Sequence, residues 1–214
     1  MVDEGITALI GDVLTGNTIA VVGEAYPINM PMITASATAA AVTYDADTDT
    51  VYTNVFRTCF IDPFQGEKMA QYAAEKLGAK TAAVLTMTGD DYSVGLADAF
   101  KAKCAEVGVS IVADEGYSKG DVDFKSQLTN ILGAAPDVVF CPNYYQDDGM
   151  IVTQARELGL TATFLGATAG AAFPTTPARK TSKAAITAPP TRPVPPTRSK
   201  RLKQPTPPPM ARTR

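Results

Sequence analysis

Residues 81–113, TAAVLTMTGDDYSVGLADAFKAKCAEVGVSIVA, decide the fold class of this chain. Thr81–Thr86 is a short apolar, β-rich run bounded by turn residues, which reads as a buried strand. From about Ser93, the residues Leu96, Phe100, Cys104 and Val107 recur three or four apart and so share one helical stripe. Gly108 ends that stripe, because glycine takes the left-handed conformation that closes helices. Val109–Ala113 then starts a second strand. A strand, a helix and a strand in succession form a βαβ unit, whose strands are parallel and whose crossover is right-handed.

The same alternation runs outward in both directions. Phe124, Leu128, Ile131 and Leu132 mark a helix, Asp137–Cys141 a strand, Ile151, Ala155 and Leu158 a helix closed by Gly159, and Ala162–Leu165 a strand. Upstream, Asp62-Pro63 starts a helix carrying Met69, Tyr72, Ala73 and Leu77 and stopped by Gly78. Val55–Phe60, Met30–Thr34 and Ile6–Ile10 read as strands, with a weak helix at Thr18–Ala25. Residues 35–54 are small, polar and turn-rich. The pattern predicts an α/β fold of parallel sheets flanked by helices, with ligands beyond the carboxyl ends of the strands.

Near Phe164 the composition changes character. All 22 Asp and Glu precede Ala167, with only nine of the 19 Lys and Arg, so residues 1–166 carry a net −13. The remainder holds the other ten basic residues, no acid and 11 of the 16 prolines. Such a segment cannot bury enough apolar surface to order itself, so 167–214 reads as a disordered Pro/Arg/Lys-rich tail. The acidic body argues against a nucleic-acid partner, since phosphate contact needs clustered Lys and Arg. No His is present, which excludes a His-based zinc site or triad. Cys59, Cys104 and Cys141 lack metal-ligand or paired spacing and read as isolated thiols. Neither a membrane-spanning run nor a signal peptide is visible.

Three apparent motifs fail on chemistry. Gly11-Asp-Val-Leu-Thr-Gly16-Asn17-Thr18 mimics a phosphate loop, but Asn17 stands where a Lys must be and Asp12 adds the wrong charge. Asp45, Asp47 and Asp49 open like a calcium loop, with Thr50 in place of its Gly and Phe56 in place of its Glu. Asp90-Asp91 and Asp147-Asp148 sit at strand-to-helix turns and read as helix-capping carboxylates rather than an acid pair for glycoside chemistry. No nucleophile–base pair exists, so an enzyme is not expected, and no cofactor or metal is implied.

The segments ALIGDVLTGNT, PMITASAT, NVFRTCFIDPFQG, AAVLTMTGDDYSVGLADAF, GDVDFKSQL, PDVVFCPNYYQD and QARELGLTATFLG occur in order across residues 1–166. Together they resemble the substrate-binding proteins of branched-chain amino-acid ABC transporters, the Leu/Ile/Val type of type I periplasmic binding protein. The resemblance implies two α/β lobes that close on a free amino acid and then dock on a membrane permease. Residues 1–60 correspond to part of the first lobe and 61–166 to a nearly complete second lobe. It places the ligand carboxylate at the hydroxyl of Thr15 and at Gly16, Asn17 and Thr18, where helix-start amides favour an anion. It places the ammonium at the turn Ser36, Ala37 and Thr38, and lays Tyr92 and Tyr144 over the ligand on closure. A monomer in the periplasm, or lipid-anchored at the cell surface, is implied for the intact parent. A ligand-sensing domain of a receptor or regulator is the alternative.

The pattern breaks after Gly166. An acid that meets the ammonium is implied two residues on, where this chain has Thr168. Gly-Asp-Gly-Trp written GGC GAC GGC TGG, with one leading G deleted and a G following, reads Ala-Thr-Ala-Gly, the residues found at 167–170. A frameshift hypothesis follows, testable by resequencing the gene. The family resemblance also implies a missing β-α-β unit before Ile6. Losing a charged partner for a buried ammonium costs on the order of 1.5–3 kcal/mol. That is roughly tenfold to beyond a hundredfold in affinity, so impaired binding is expected, and micromolar leucine binding measured by calorimetry would contradict it.

Overall fold

The computed structural model describes residues 4–167 and 186–187. In chain order, β1 (Leu9–Ile10), α1 (Thr15–Ala25) and β2 (Met32–Thr34) lead to a 3-10 turn at Ala40–Val42. A small hairpin, β3 (Tyr44–Asp45) and β4 (Thr50–Val51), precedes β5 (Val55–Arg57) and α2 (Asp62–Glu75). The regular units follow: β6 (Thr81–Met87), α3 (Asp91–Val107), β7 (Ser110–Tyr117), α4 (Lys125–Ala134), β8 (Val138–Cys141), α5 (Tyr145–Glu157) and β9 (Thr163–Gly166). Last comes β10 (Ile186–Thr187). One sheet has the order β1-β2-β5 and a second β10-β9-β8-β6-β7, and all neighbouring strands in both are parallel. This is the α/β architecture that the alternation predicts.

The inner strands of the larger sheet are largely apolar because both faces are covered. Along β6, Ala82 and Val84 pack with Leu96, Phe100 and Cys104 of α3, while Ala83, Leu85 and Met87 pack with Leu128, Ile131, Ile151 and Phe164 on the opposite side. Phe100 and Phe140 stack across the α3 layer with ring centroids 4.3 Å apart. The smaller sheet has its own cluster of Val22, Ala25, Met32, Ala37, Val42 and Val55. Its other face is bare among the described residues: Ile10, Ile33 and Phe56 stand side by side in register, 88%, 37% and 55% exposed.

Several element boundaries differ from those read in the sequence. β1 spans only Leu9–Ile10, because Pro31–Ile33 offers it partners over just that length. α1 begins at Thr15 rather than Thr18, and α5 at Tyr145, well before the apolar stripe headed by Ile151. First helical turns are polar and carry no periodic signal. β7 runs on through the charged Asp114-Glu115 to Tyr117, since it is an edge strand whose outer residues meet water. Ile186–Thr187, within the stretch expected to be disordered, instead pairs with Leu165–Gly166 as β10. Ala167, the first residue of that stretch, is buried in the core beside Leu165 rather than disordered, and the rest, with Thr168 and the frameshift reading, lies outside the described residues.

Candidate functional site

The turn from β1 into α1 is built around Gly11, whose φ of 133° lies where side chains are disfavoured. Leu14 donates its N–H to Asp12 Oδ1 at 2.8 Å and occupies the N-cap position without a side-chain acceptor. The first amides of α1, at Thr15, Gly16 and Asn17, thus keep the anion-attracting character of an uncapped helix start. Thr15 is buried, whereas Gly16 and Asn17 are exposed. Thr18 is buried too, but its hydroxyl donates to Leu14 O at 2.8 Å or Asp12 O at 3.2 Å. It stabilises the turn.

The end of β2 is tied to this turn. Thr34 Oγ1 donates to Asp12 O at 2.7 Å, and Ser36 Oγ donates to Val13 O at 2.8 Å. Two strand ends that are 22 and 23 residues apart in sequence therefore share one rim. Ala37 is fully buried, and its carbonyl faces Arg57 Nη1 at 3.4 Å and Cys59 Sγ at 3.5 Å. The Thr38 carbonyl accepts from Arg57 at 3.2 Å and from the Asp62 N–H at 3.1 Å. Its hydroxyl is buried with no well-formed hydrogen bond. It lies against the Asp62 carboxyl.

The second group comes from α3 and the residue that leads into α5. Tyr92 and Tyr144 stack with centroids 5.3 Å apart and planes inclined by 29°. Tyr144 donates its hydroxyl to Asp90 Oδ1 at 3.4 Å, and burial, then the Asp90 charge, pushes its pKa up. Asp90 caps α3 by accepting the Ser93 N–H at 3.0 Å, as its position after a strand suggests. Asp147 and Asp148 do not cap α5: they take the Tyr117 hydroxyl at 2.9 Å and the Asn143 amide at 3.4 Å.

Asp62 joins the two groups and was missed by sequence reasoning, which saw in it only a helix start. It is 1% exposed, lies near Thr38, and presses against Gly95 in the first turns of α3. Burial raises its pKa to about 6, the Thr38 hydroxyl and Arg57 pull the other way, and Asp90 adds to the rise. Neither of its oxygens makes a well-formed hydrogen bond. α1 also touches α3, which brings the helix of Thr15–Thr18 beside that of Tyr92. Among the described residues no group of three or more His, Cys, Asp and Glu could hold a metal. The Asp45 carboxylate instead folds its own hairpin, accepting from the Asp47 N–H at 2.9 Å and the Thr48 hydroxyl at 2.7 Å.

The periplasmic binding protein family model matches residues 1–201. A Leu/Ile/Val-binding protein of Rhizobium johnstonii is 33% identical over 166 residues, covering 78% of this chain and 44% of the relative. The structure is similar to a leucine-binding protein from Thermotoga maritima, with a TM-score of 0.72 and 36% identity over 78% of this chain and 46% of that one. It is also similar to a branched-chain amino-acid transporter substrate-binding protein from Streptococcus pneumoniae, solved with isoleucine. That match has a TM-score of 0.69 and 33% identity over 78% of this chain and 45% of the other. The chain thus spans a little under half the length of these relatives.

Proposed function

Because this chain belongs to the periplasmic binding protein family, we propose that it forms part of an extracytoplasmic solute-binding component that captures an aliphatic amino acid for an ABC importer. The observation that carries this reading is the shared rim held by the Ser36–Val13 and Thr34–Asp12 hydrogen bonds. It sets an uncapped helix start beside the turn that carries Thr38, so a zwitterion can meet both at once. Thr15, Gly16 and Asn17 receive the carboxylate. Ser36, Ala37 and Thr38 shape the ammonium side, and the Tyr92–Tyr144 stack covers the apolar body. Binding and release are the function, with a membrane permease as the receiving partner. With Thr168 where the family resemblance implies an acid, the 214-residue chain binds weakly.

Titration of the isotope-labelled chain with L-leucine, followed by NMR, tests this reading. Amides at 15–18 and 36–38 shift together, and Thr38→Val weakens leucine about tenfold. Silence at both segments up to the solubility limit of leucine rejects the reading.

A further inference from the structure

Arg57, at the end of β5, points its guanidinium at four consecutive carbonyls. The two N–H groups of Nη1 are shared among Ala39 O at 2.7 Å, Thr38 O at 3.2 Å and Ala37 O at 3.4 Å. Nη2 donates to Ala40 O at 3.3 Å and to Thr43 Oγ1 at 2.5 Å. The side chain is partly buried, and desolvation lowers its pKa, with the nearby Cys59 and Asp62 opposing that fall. One cation serves a segment whose own sequence is Ser-Ala-Thr-Ala-Ala-Ala-Val, in which Ser36 alone makes a well-formed side-chain hydrogen bond to another element.

We propose that Arg57 is the positioning residue of the binding turn: it gathers the carbonyls of residues 37–40 on one side and so fixes the backbone that carries Thr38. The inference rests on the amino-acid reading above. In a trans peptide the C=O and N–H point in opposite directions. Fixing four carbonyls towards β5 therefore aims the following N–H groups away from it. Only a planar fork with five donors can span such a row, whereas a lysine ammonium offers three donors at one point. The short, small residues of the turn follow from this division of labour: the turn supplies contact groups, and β5 supplies its rigidity.

The experiment uses the full chain with Arg57→Lys and Arg57→Ala, titrated with L-leucine by NMR, with thermal melts in parallel. Both variants are expected to weaken leucine by about tenfold or more. In Arg57→Lys the amides at 15–17 still respond to leucine and those at 37–39 do not. Added methylguanidinium restores Arg57→Ala by about threefold or more and leaves the wild type unchanged. A merely structural arginine gives neither the split response nor the rescue. The inference is overturned if Arg57→Lys stays within about twofold of wild type, if both segments fall silent together, or if methylguanidinium has no effect on Arg57→Ala. Should Arg57→Ala fail to fold, Thr43→Val removes one acceptor alone: a loss of about two- to fivefold is expected, and unchanged affinity overturns the inference. A wild-type chain that never responds to leucine rejects the amino-acid reading itself, whereas a responding wild type with unaffected Arg57 variants rejects only the role of Arg57.

Discussion

Asp62 shows how one residue's chemistry depends on its surroundings. Its carboxyl ionises near 3.8 when solvated and near 6 in the fold, chiefly because burial disfavours the charge. The folded state thus holds the proton more tightly than the unfolded chain. The associated stability is complete below the lower value and is lost as pH rises through the upper one. Two units correspond to about 3 kcal/mol at most. Asp62→Asn, which stays neutral, is expected to stabilise the chain by about 2–3 kcal/mol near pH 7.5 and hardly at all near pH 4. Urea denaturation at both values checks this, and a gain that is larger in acid contradicts it. Of this, the sequence showed a carboxylate at a helix start and nothing more, since burial is set by α3. Asp90 is the contrasting case: its capping bond to Ser93 is local, so its position was informative.

Among elements, the α2–α3 contact is the tightest constraint. A Cβ on Gly66 would sit 2.6 Å from Leu96 O and 2.8 Å from Ala99 Cβ, both on the body of α3. Backbone cannot step aside as a flexible side chain can, so Gly66→Ala is expected to cost about 1–3 kcal/mol despite the better helix propensity of alanine. Gly133, in α4, is the control, because a Cβ added there would meet nothing within 4 Å. There the same change is expected to stabilise by about 0.5–1 kcal/mol. Paired thermal melts distinguish the two sites, and equal effects at both reject the packing account. Helix stripes and closing glycines were readable because they repeat within a few residues of chain. The strand end in β7 and the first turn of α5 were not, because edge pairing and polar helix starts leave no period.

For the whole molecule, two sheets with separate cores meet where α1 approaches α3 and where Asp62 lies between Thr38 and Gly95. A ligand held across that junction stabilises the folded state through mass action, by about 1.4 kcal/mol at tenfold its dissociation constant. The melting temperature is therefore expected to climb with leucine concentration in the wild type, and to climb far less for Thr38→Val over the same range. A melting temperature indifferent to leucine contradicts the proposed linkage.

Periodicity, punctuation and charge distribution were enough to determine the α/β class, the order of the main strands and helices but not the small hairpin of β3 and β4 or β10, and the change of character after Phe164. These properties are encoded by neighbours in the chain, where helix and strand repeats act. Only the tertiary structure decided that Asp12 and Val13 meet Thr34 and Ser36, that Arg57 gathers the carbonyls of 37–40, and that Asp62 is buried beside Gly95. Those contacts join residues from different elements, and their energies come from desolvation and hydrogen-bond geometry that exist only once the sheets have formed.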